Sequence, residues 1–600
     1  MTDTLIKNAR IFDGTGALSF RGHVLIEDDR IHSVVHAAEP ENETFAGNEA
    51  AIVINADGMA LAPGFIDCHS HFDWVQPLSD HETFLYPMLE QGITTVVTGN
   101  CGFSPAPIPS AFQSVLHEYS QMLMERPLNY QWEDMGEFLD YLEAMDGLMF
   151  NHVQQVGHGT VQLAALGSLC KRPSTANLAE MEKMTHQSLD QGASGMSLGL
   201  MYPPGLFSTR EELAALARVV ADRGRLLTVH KRALSRYSGA YPIIPFFSRP
   251  HNLRALEEVL SIGLETGVKV QISHFIFVGR RSWPTAEKAI KMIEAAAGRG
   301  LEIMWDIYPH FCGNSYLDVF LPAWFIENLG DNLEKPSAVR RLKFELALAK
   351  RLLGFDMSDI WIMDAAYPEG EKYNGRCLTE IAQAENADPI STMLKIVRDS
   401  DSKALQLTYG YSGDDKNEEL IEMLMAHPRC LYETDTILKS RGFANPGSYG
   451  AFPRILGHFA RDKGMMPMEQ AVHKMTGATA RWMDIVDRGE IRPGAYADLV
   501  LFEPDTIADN TTKEDTARRP TGIDKVFCNG TLVVEDGEYV AGKKAGEYLP
   551  SYLVRSEYQS DVIHILFAID VESDNIRIIT AYRLNSAEWE DGFRIRRRLS

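Results

Sequence analysis

Between about residues 61 and 480, short apolar runs alternate with stretches of helical period. Residues 94–98, 193–198, 226–230, 268–274 and 302–307 read as strands, with helices such as 209–223 and 252–266 between them. Strands joined by helices must run parallel, because the helix carries the chain back to the same edge. Eight such units close on themselves, so the fold expected is α/β, a (β/α)8 barrel. Residues 331–430 are rich in helical pattern and exceed what a barrel unit needs. They are read as an insertion that either covers the active site or elaborates the barrel away from it.

Barrels of this kind carry their chemistry at the C-terminal ends of the strands. The apolar run 59–66 stops at Asp67, Cys68, His69 and His71. Residues at i and i+2 of a strand share a face, so the two imidazoles can meet one metal ion. Cys101 follows the strand at 94–98, within Asn100-Cys-Gly-Phe-Ser. His230 ends 226–230, His274 ends 268–274, and Asp435 follows Cys430-Leu-Tyr-Glu-Thr. A single strand-end histidine is more often structural. A succession of ligand-type residues after a His-x-His pair points to a metal site.

Both ends of the chain read differently. Residues 1–60 and 481–548 hold short strands and Asp-Gly or Asn-Gly turns, and are expected to form one small β-sandwich domain from two pieces. Residues 549–600 are read as an appended β-rich module, with a hairpin turning at Glu572-Ser-Asp-Asn575 and a basic tail.

The net charge of −24 argues against nucleic acid or a membrane surface as partner. No stretch approaches the ~18 uncharged apolar residues of a spanning helix, and the first ten residues lack a signal-type apolar core. Seven scattered cysteines give no disulfide framework, so a reducing cytoplasmic setting is expected. Oligomerisation stays open.

Several words resemble one family. Pro63-Gly-Phe-Ile-Asp-Cys-His69-Ser-His71 resembles the first-strand signature of the amidohydrolase superfamily. Gly489-Glu-Ile-Arg-Pro-Gly494, continuing to Ala497-Asp-Leu-Val500, resembles the strands that follow its barrel. Asn100-Cys-Gly-Phe-Ser, Gly157-His-Gly-Thr160, Asp306-Ile-Tyr-Pro309 and Gly450-Ala-Phe-Pro-Arg454 resemble the N-acyl-D-amino-acid deacylase branch. The resemblance spans about residues 4–545 and implies a metallo-dependent hydrolase barrel acting on a C–N amide bond of a small molecule. It implies that Cys101, His230 and His274 hold one tight zinc. His69 and His71, sharing Cys101, would bound a second, weaker position. Asp435 would exchange protons with the attacking water, Tyr308 would act beside the substrate, and Arg232 would contact the substrate. Cys68, Cys170, Cys312, Cys377, Cys430, Cys528 and His158 are read as structural.

The chain departs from the family where a lysine and an arginine commonly grip the substrate carboxylate: Ile276 and Gly447 stand there. Lys231, Arg232, Arg280 and Arg281 are the candidate replacement cations, and the segment 233–251, rich in aromatics and prolines, is a candidate apolar pocket wall. Two further readings are carried: hydrolysis of a cyclic amide, carbamate or lactone, and an inactive relative kept for binding or assembly.

Overall fold

The computed structural model describes residues 3–37, 52–169, 171–238, 240–241, 249–558, 561–570 and 575–583. At its centre are eight parallel strands: β1 (Phe65–Asp67), β2 (Ile93–Thr98), β3 in two pieces (Asn151–Gln154 and Val156–Gly157), β4 (Gly195–Gly199), β5 (Leu226–His230), β6 (Lys269–Ile272), β7 (Ile303–Ile307) and β8 (Cys430–Tyr432). Each pairs in parallel with the next, from β1·β2 to β7·β8. The seam between β8 and β1 is closed by Cys68 N–H to the Tyr432 carbonyl at 3.5 Å and Asp435 N–H to the His69 carbonyl at 3.1 Å. The ring of strands is the (β/α)8 barrel.

Valine, isoleucine and tryptophan on the outer faces of the strands pack beneath the helices. Inside, Val97, Val153, Leu226 and Leu431 form an apolar layer, and polar residues lie among and above them. Gln155, Thr228, Gln271 and Asp306 are all buried there. β3 is the strand that the apolar pattern misses, because asparagine, histidine and two glutamines make up much of it. Gln155, at the break between its two pieces, is satisfied inside the barrel: its amide donates to Asn100 Oδ1, and its Oε1 accepts the Thr228 hydroxyl.

The two ends of the chain build one sheet of nine strands, in which Leu499–Phe502 pairs antiparallel with Ala60–Pro63. Leu499 and Leu501 face a core of Ile6, Ile11, Val24 and Phe527, while Val500 and Phe502 face the barrel core. From Pro63 the chain passes straight into β1 through Gly64, where a Cβ would sit 2.1 Å from Thr94 Oγ1.

Between β7 and β8 lies the insertion. Its helices include Pro336–Leu353 and Pro389–Asp399, but it is built on a three-stranded antiparallel sheet of Cys312–Tyr316, Leu405–Tyr409 and Ile360–Asp364. A short run such as Ile360-Trp-Ile-Met-Asp364 reads equally as buried helix from sequence, and Cys312-Gly-Asn-Ser-Tyr316 carries no apolar pattern at all. At the C-terminal end, Tyr552–Tyr558, Asp561–Asp570 and Asn575–Arg583 form an antiparallel meander. The turn expected at 572–575 lies mostly outside the described residues, as do Cys170 and the basic tail.

Candidate metal centre

His69 and His71 continue from β1 and are 0 % and 6 % exposed. Cys101 lies beyond β2 on a turn with left-handed backbone on both sides of Asn100: at Gly99 (φ 76°), and at Cys101 (φ 55°) and Gly102 (φ 80°). Left-handed backbone at a cysteine is costly and must be held by its surroundings. Asn100 Nδ2 donates to the Val97 carbonyl at 2.9 Å, Gly102 N–H donates to Ser197 Oγ at 2.9 Å, and the Tyr202 hydroxyl donates to the Cys101 carbonyl. A Cβ on Gly99 would lie 2.1 Å from the Gln155 carbonyl oxygen, so glycine is required by space as well as by φ. His274 (φ 32°) and Asp435 (φ 44°) share the left-handed strain.

These turns bring the side chains together. Cys101 Sγ lies 3.3 Å from His69 Nε2, 3.5 Å from His230 Nδ1 and 3.4 Å from His274 Nε2. The ligand atoms of His69, His71 and Cys101 lie within 4.8 Å of one another, as do those of Cys101, His230 and His274, so Cys101 belongs to both groups. Asp435 Oδ1 lies 3.3 Å from His71 Nε2 and 3.6 Å from His69 Nε2. Its side chain is 21 % exposed while that of His69 is fully covered, so the cluster opens on the Asp435 side.

The donor set fits zinc. A tetrahedron with a 2.3 Å Zn–S arm and 2.0–2.1 Å Zn–N arms has S···N edges of about 3.6 Å, close to the three sulfur–nitrogen separations here. Burial would push the Cys101 thiol up, but the imidazoles of His69, His274 and His230 outweigh it and hold the thiol well below its ordinary value. That favours thiolate, the form that binds metal. Burial would likewise raise Asp435, yet His69, His71 and His274 hold it below the ordinary carboxylate value.

Two carboxylates missed by the sequence reading lie behind His69. Its Nδ1 is 3.0 Å from Glu433 Oε2 and 3.5 Å from Asp306 Oδ1, and all three side chains are fully covered. Burial, then the charge of Asp306, pushes the Glu433 carboxyl well above the usual carboxylate range. The signal in the sequence was position: Asp306 is on β7 and Glu433 directly follows β8.

Tyr308 follows β7 and is 4 % exposed. Burial and then the nearby Asp435 charge raise its hydroxyl well above the ordinary tyrosine value, so it stays a proton donor. Arg232 is placed otherwise than expected. Its Nε and Nη2 bond Glu258, Nη1 bonds the carbonyls of Gly205 and Leu206, and Nη2 also bonds the Ser208 carbonyl. A guanidinium has five N–H donors, so these five bonds leave none for a substrate. The expectation that Arg232 contacts substrate gives way to a clamp on the loop after β4.

Of the other candidate cations, Arg281 is exposed. Arg280 pairs with Asp359 and Asp414. Lys231 is 2 % exposed, with its ammonium 5.0 Å from the Phe275 ring centroid. Ile276 is buried, and a Cβ on Gly447 would lie 2.9 Å from Thr436 Cγ2. Nearby, Asn445 donates to Asn314 Oδ1 at 2.7 Å and accepts Gly447 N–H at 2.9 Å. His158 bonds Glu212 at 2.9 Å, away from the cluster of ligands. Residues 242–248 of the expected pocket wall lie outside the described residues.

The profile of the amidohydrolase family matches residues 378–534. An N-acyl-D-glutamate deacylase of Alcaligenes xylosoxydans xylosoxydans is 30 % identical over 538 residues, covering 88 % of this chain and 93 % of the relative. A D-aminoacylase from the same organism is 28 % identical over 556 residues, covering 91 % and 97 %. Among solved structures, an N-acyl-D-glutamate deacylase from Bordetella bronchiseptica, in complex with zinc and a phosphonate mimic of the tetrahedral intermediate, superposes with a TM-score of 0.73 at 29 % identity, covering 91 % of this chain and 99 % of that one.

Proposed function

The chain belongs to the amidohydrolase family, in its N-acyl-D-amino-acid deacylase branch, and from that premise we propose that it is a zinc enzyme hydrolysing the amide bond of a small N-acyl compound. The observation that carries this reading is the placement of Asp435 at the open side of two ligand groups that share Cys101. Cys101, His230 and His274 would hold the tight ion, and His69 and His71 with Cys101 a weaker second one. A zinc there supplies Lewis acidity toward the scissile carbonyl and a water of lowered pKa.

The protein's own groups do the rest. Asp435 is held in its anionic form and so accepts the proton of the attacking water. It then delivers that proton to the leaving nitrogen, one carboxylate serving both half-steps. The Tyr308 hydroxyl, kept protonated, donates toward the carbonyl oxygen as it gains charge.

Substrate recognition is where this chain differs. A carboxylate brought into a pocket needs a cation or several donors to repay its desolvation. Ile276 and Gly447 offer no cation, and the donors of Arg232 are spent. This supports a substrate that presents no free carboxylate at that point, such as a cyclic amide or carbamate, as a second reading. The test is a panel of N-acetyl-D- and L-amino acids, their carboxamides and a set of cyclic amides, with Asp435→Asn as control. Turnover of at least one class that vanishes in the control is expected. Turnover that survives in Asp435→Asn would remove Asp435 from the mechanism, and preference for the free acids would remove the second reading.

A further inference from the structure

Behind the ligand cluster, each of two buried carboxylates has a different set of donors. Asp306 Oδ1 accepts the backbone N–H of His274, and its Oδ2 accepts the Gln271 amide. Gln271 is itself fixed by Trp482, whose indole N–H donates to Oε1 at 2.8 Å. Asp306 is thereby occupied, and it pins the backbone of a histidine with φ 32°. Glu433 is not occupied in this way. It is 0 % exposed, neither oxygen meets a hydrogen-bond donor of good geometry, and His69 Nδ1 is equally buried, its other neighbour, the already occupied Asp306 Oδ1, standing farther off at 3.5 Å. Glu433 Oε2 and His69 Nδ1 lie 3.0 Å apart.

A buried donor and a buried acceptor left unpaired each cost desolvation free energy. A proton on His69 Nδ1, directed at Glu433, satisfies both. It also leaves the lone pair on Nε2, the nitrogen that faces Cys101 and Asp435. We infer that Glu433 is a positioning residue that fixes the tautomer and ring orientation of His69, while Asp306 does the corresponding work on the backbone of His274. The inference rests on the proposed role of His69 as a metal ligand. Partners of this kind on metal-binding histidines tune metal affinity by tenfold to a hundredfold.

The test uses the full chain with zinc, and separately with cobalt as a spectroscopic probe. Metal affinity is read by competition with a chromophoric chelator. Glu433→Met, similar in size and lacking the acceptor, should weaken metal retention by about tenfold or more. Glu433→Gln, whose amide oxygen still accepts Nδ1–H, should lose less than tenfold and shift the cobalt absorption. If Glu433→Met fails to fold, Glu433→Gln decides: affinity and spectrum both matching the unsubstituted protein would overturn the inference. A third equivalent of metal on the unsubstituted chain, lost in Glu433→Met while the first two are held normally, would also overturn it, making His69, Asp306 and Glu433 a metal site of their own. If the unsubstituted chain holds no zinc, the functional reading fails instead.

Discussion

Asp67 laces the first barrel strand to the last through Thr434. Its Oδ1 accepts the Thr434 amide at 3.0 Å and its Oδ2 accepts the Thr434 hydroxyl at 2.5 Å. The backbone ladder is sparse at this seam, where the Cys68 N–H to Tyr432 bond is 3.5 Å long. His69 and Asp435 lie just beyond the two laced residues, so the same bonds set the separation of the proposed ligand and the proposed proton acceptor. Thr434→Val keeps the shape and leaves a buried carboxyl short of a donor. The expected loss is ~1–3 kcal/mol of stability. Thr436→Val is the comparison: the Thr436 hydroxyl is buried without a partner, so its removal should be neutral or slightly stabilising. Thermal unfolding of both variants checks the opposite signs, and equal shifts would refute the lacing role.

Arg232 gives a second prediction. Its five bonds hold the loop 205–208 to the helix that carries Glu258. Arg232→Met would strand Glu258 and three carbonyls, at a cost of about 3 kcal/mol. Arg232→Lys recovers only part of this, since an ammonium cannot reproduce the planar fork. The KM of the folded fraction should stay near that of the unsubstituted enzyme. A large rise in KM with an unchanged melting temperature would return Arg232 to the substrate.

The residues that cluster were legible because most of them directly follow an apolar run: His69 and His71 after 59–66, His230 and His274 at the ends of β5 and β6, Asp435 after β8. What stayed hidden depends on pairing across the fold. Glu433 is 364 positions from His69 in the chain, and only closure of β8 against β1 brings them together. β3 was hidden for a local reason: its polar residues bond one another and the neighbouring strand, His152 and Gln154 both meeting Thr98, so no apolar run marks it. Arg232 had the right residue type and the right strand end. Its orientation toward Glu258 could not be read without the helix that follows.

Metal removal supplies a third prediction. An ion that binds only the folded state stabilises it by about 2.7 kcal/mol at a hundredfold excess over Kd. Chelation should lower the melting temperature, and zinc should restore it. Cys101 belongs to both ligand groups, whereas His71 belongs to one. Cys101→Ser should therefore abolish retention at both positions, and His71→Asn should leave the tight ion in place. Metal analysis of the purified variants decides. Retention of the tight ion in Cys101→Ser would refute the shared thiolate.

The last prediction concerns acid. His152, on β3, is wholly buried, its Nε2 2.8 Å from Gln154 Oε1 and 2.9 Å from Thr98 Oγ1. Burial holds its pKa down at about 4, against 6.5 for a free histidine, with the bond to Gln154 opposing only in part. Between those values the unfolded chain binds a proton that the folded chain refuses, so stability must fall as pH falls. The stabilisation relative to a protonated His152 is complete above pH 6.5 and is lost as the pH drops through 4, for a total of up to about 3 kcal/mol. Replacing the imidazole by an amide removes the titrating group and keeps a hydrogen-bonding side chain. His152→Gln should therefore unfold with a flatter pH dependence than the unsubstituted protein between pH 6.5 and 4, whatever its stability at neutral pH. Parallel pH profiles of the two proteins across that range would show that β3 is not where the acid sensitivity resides.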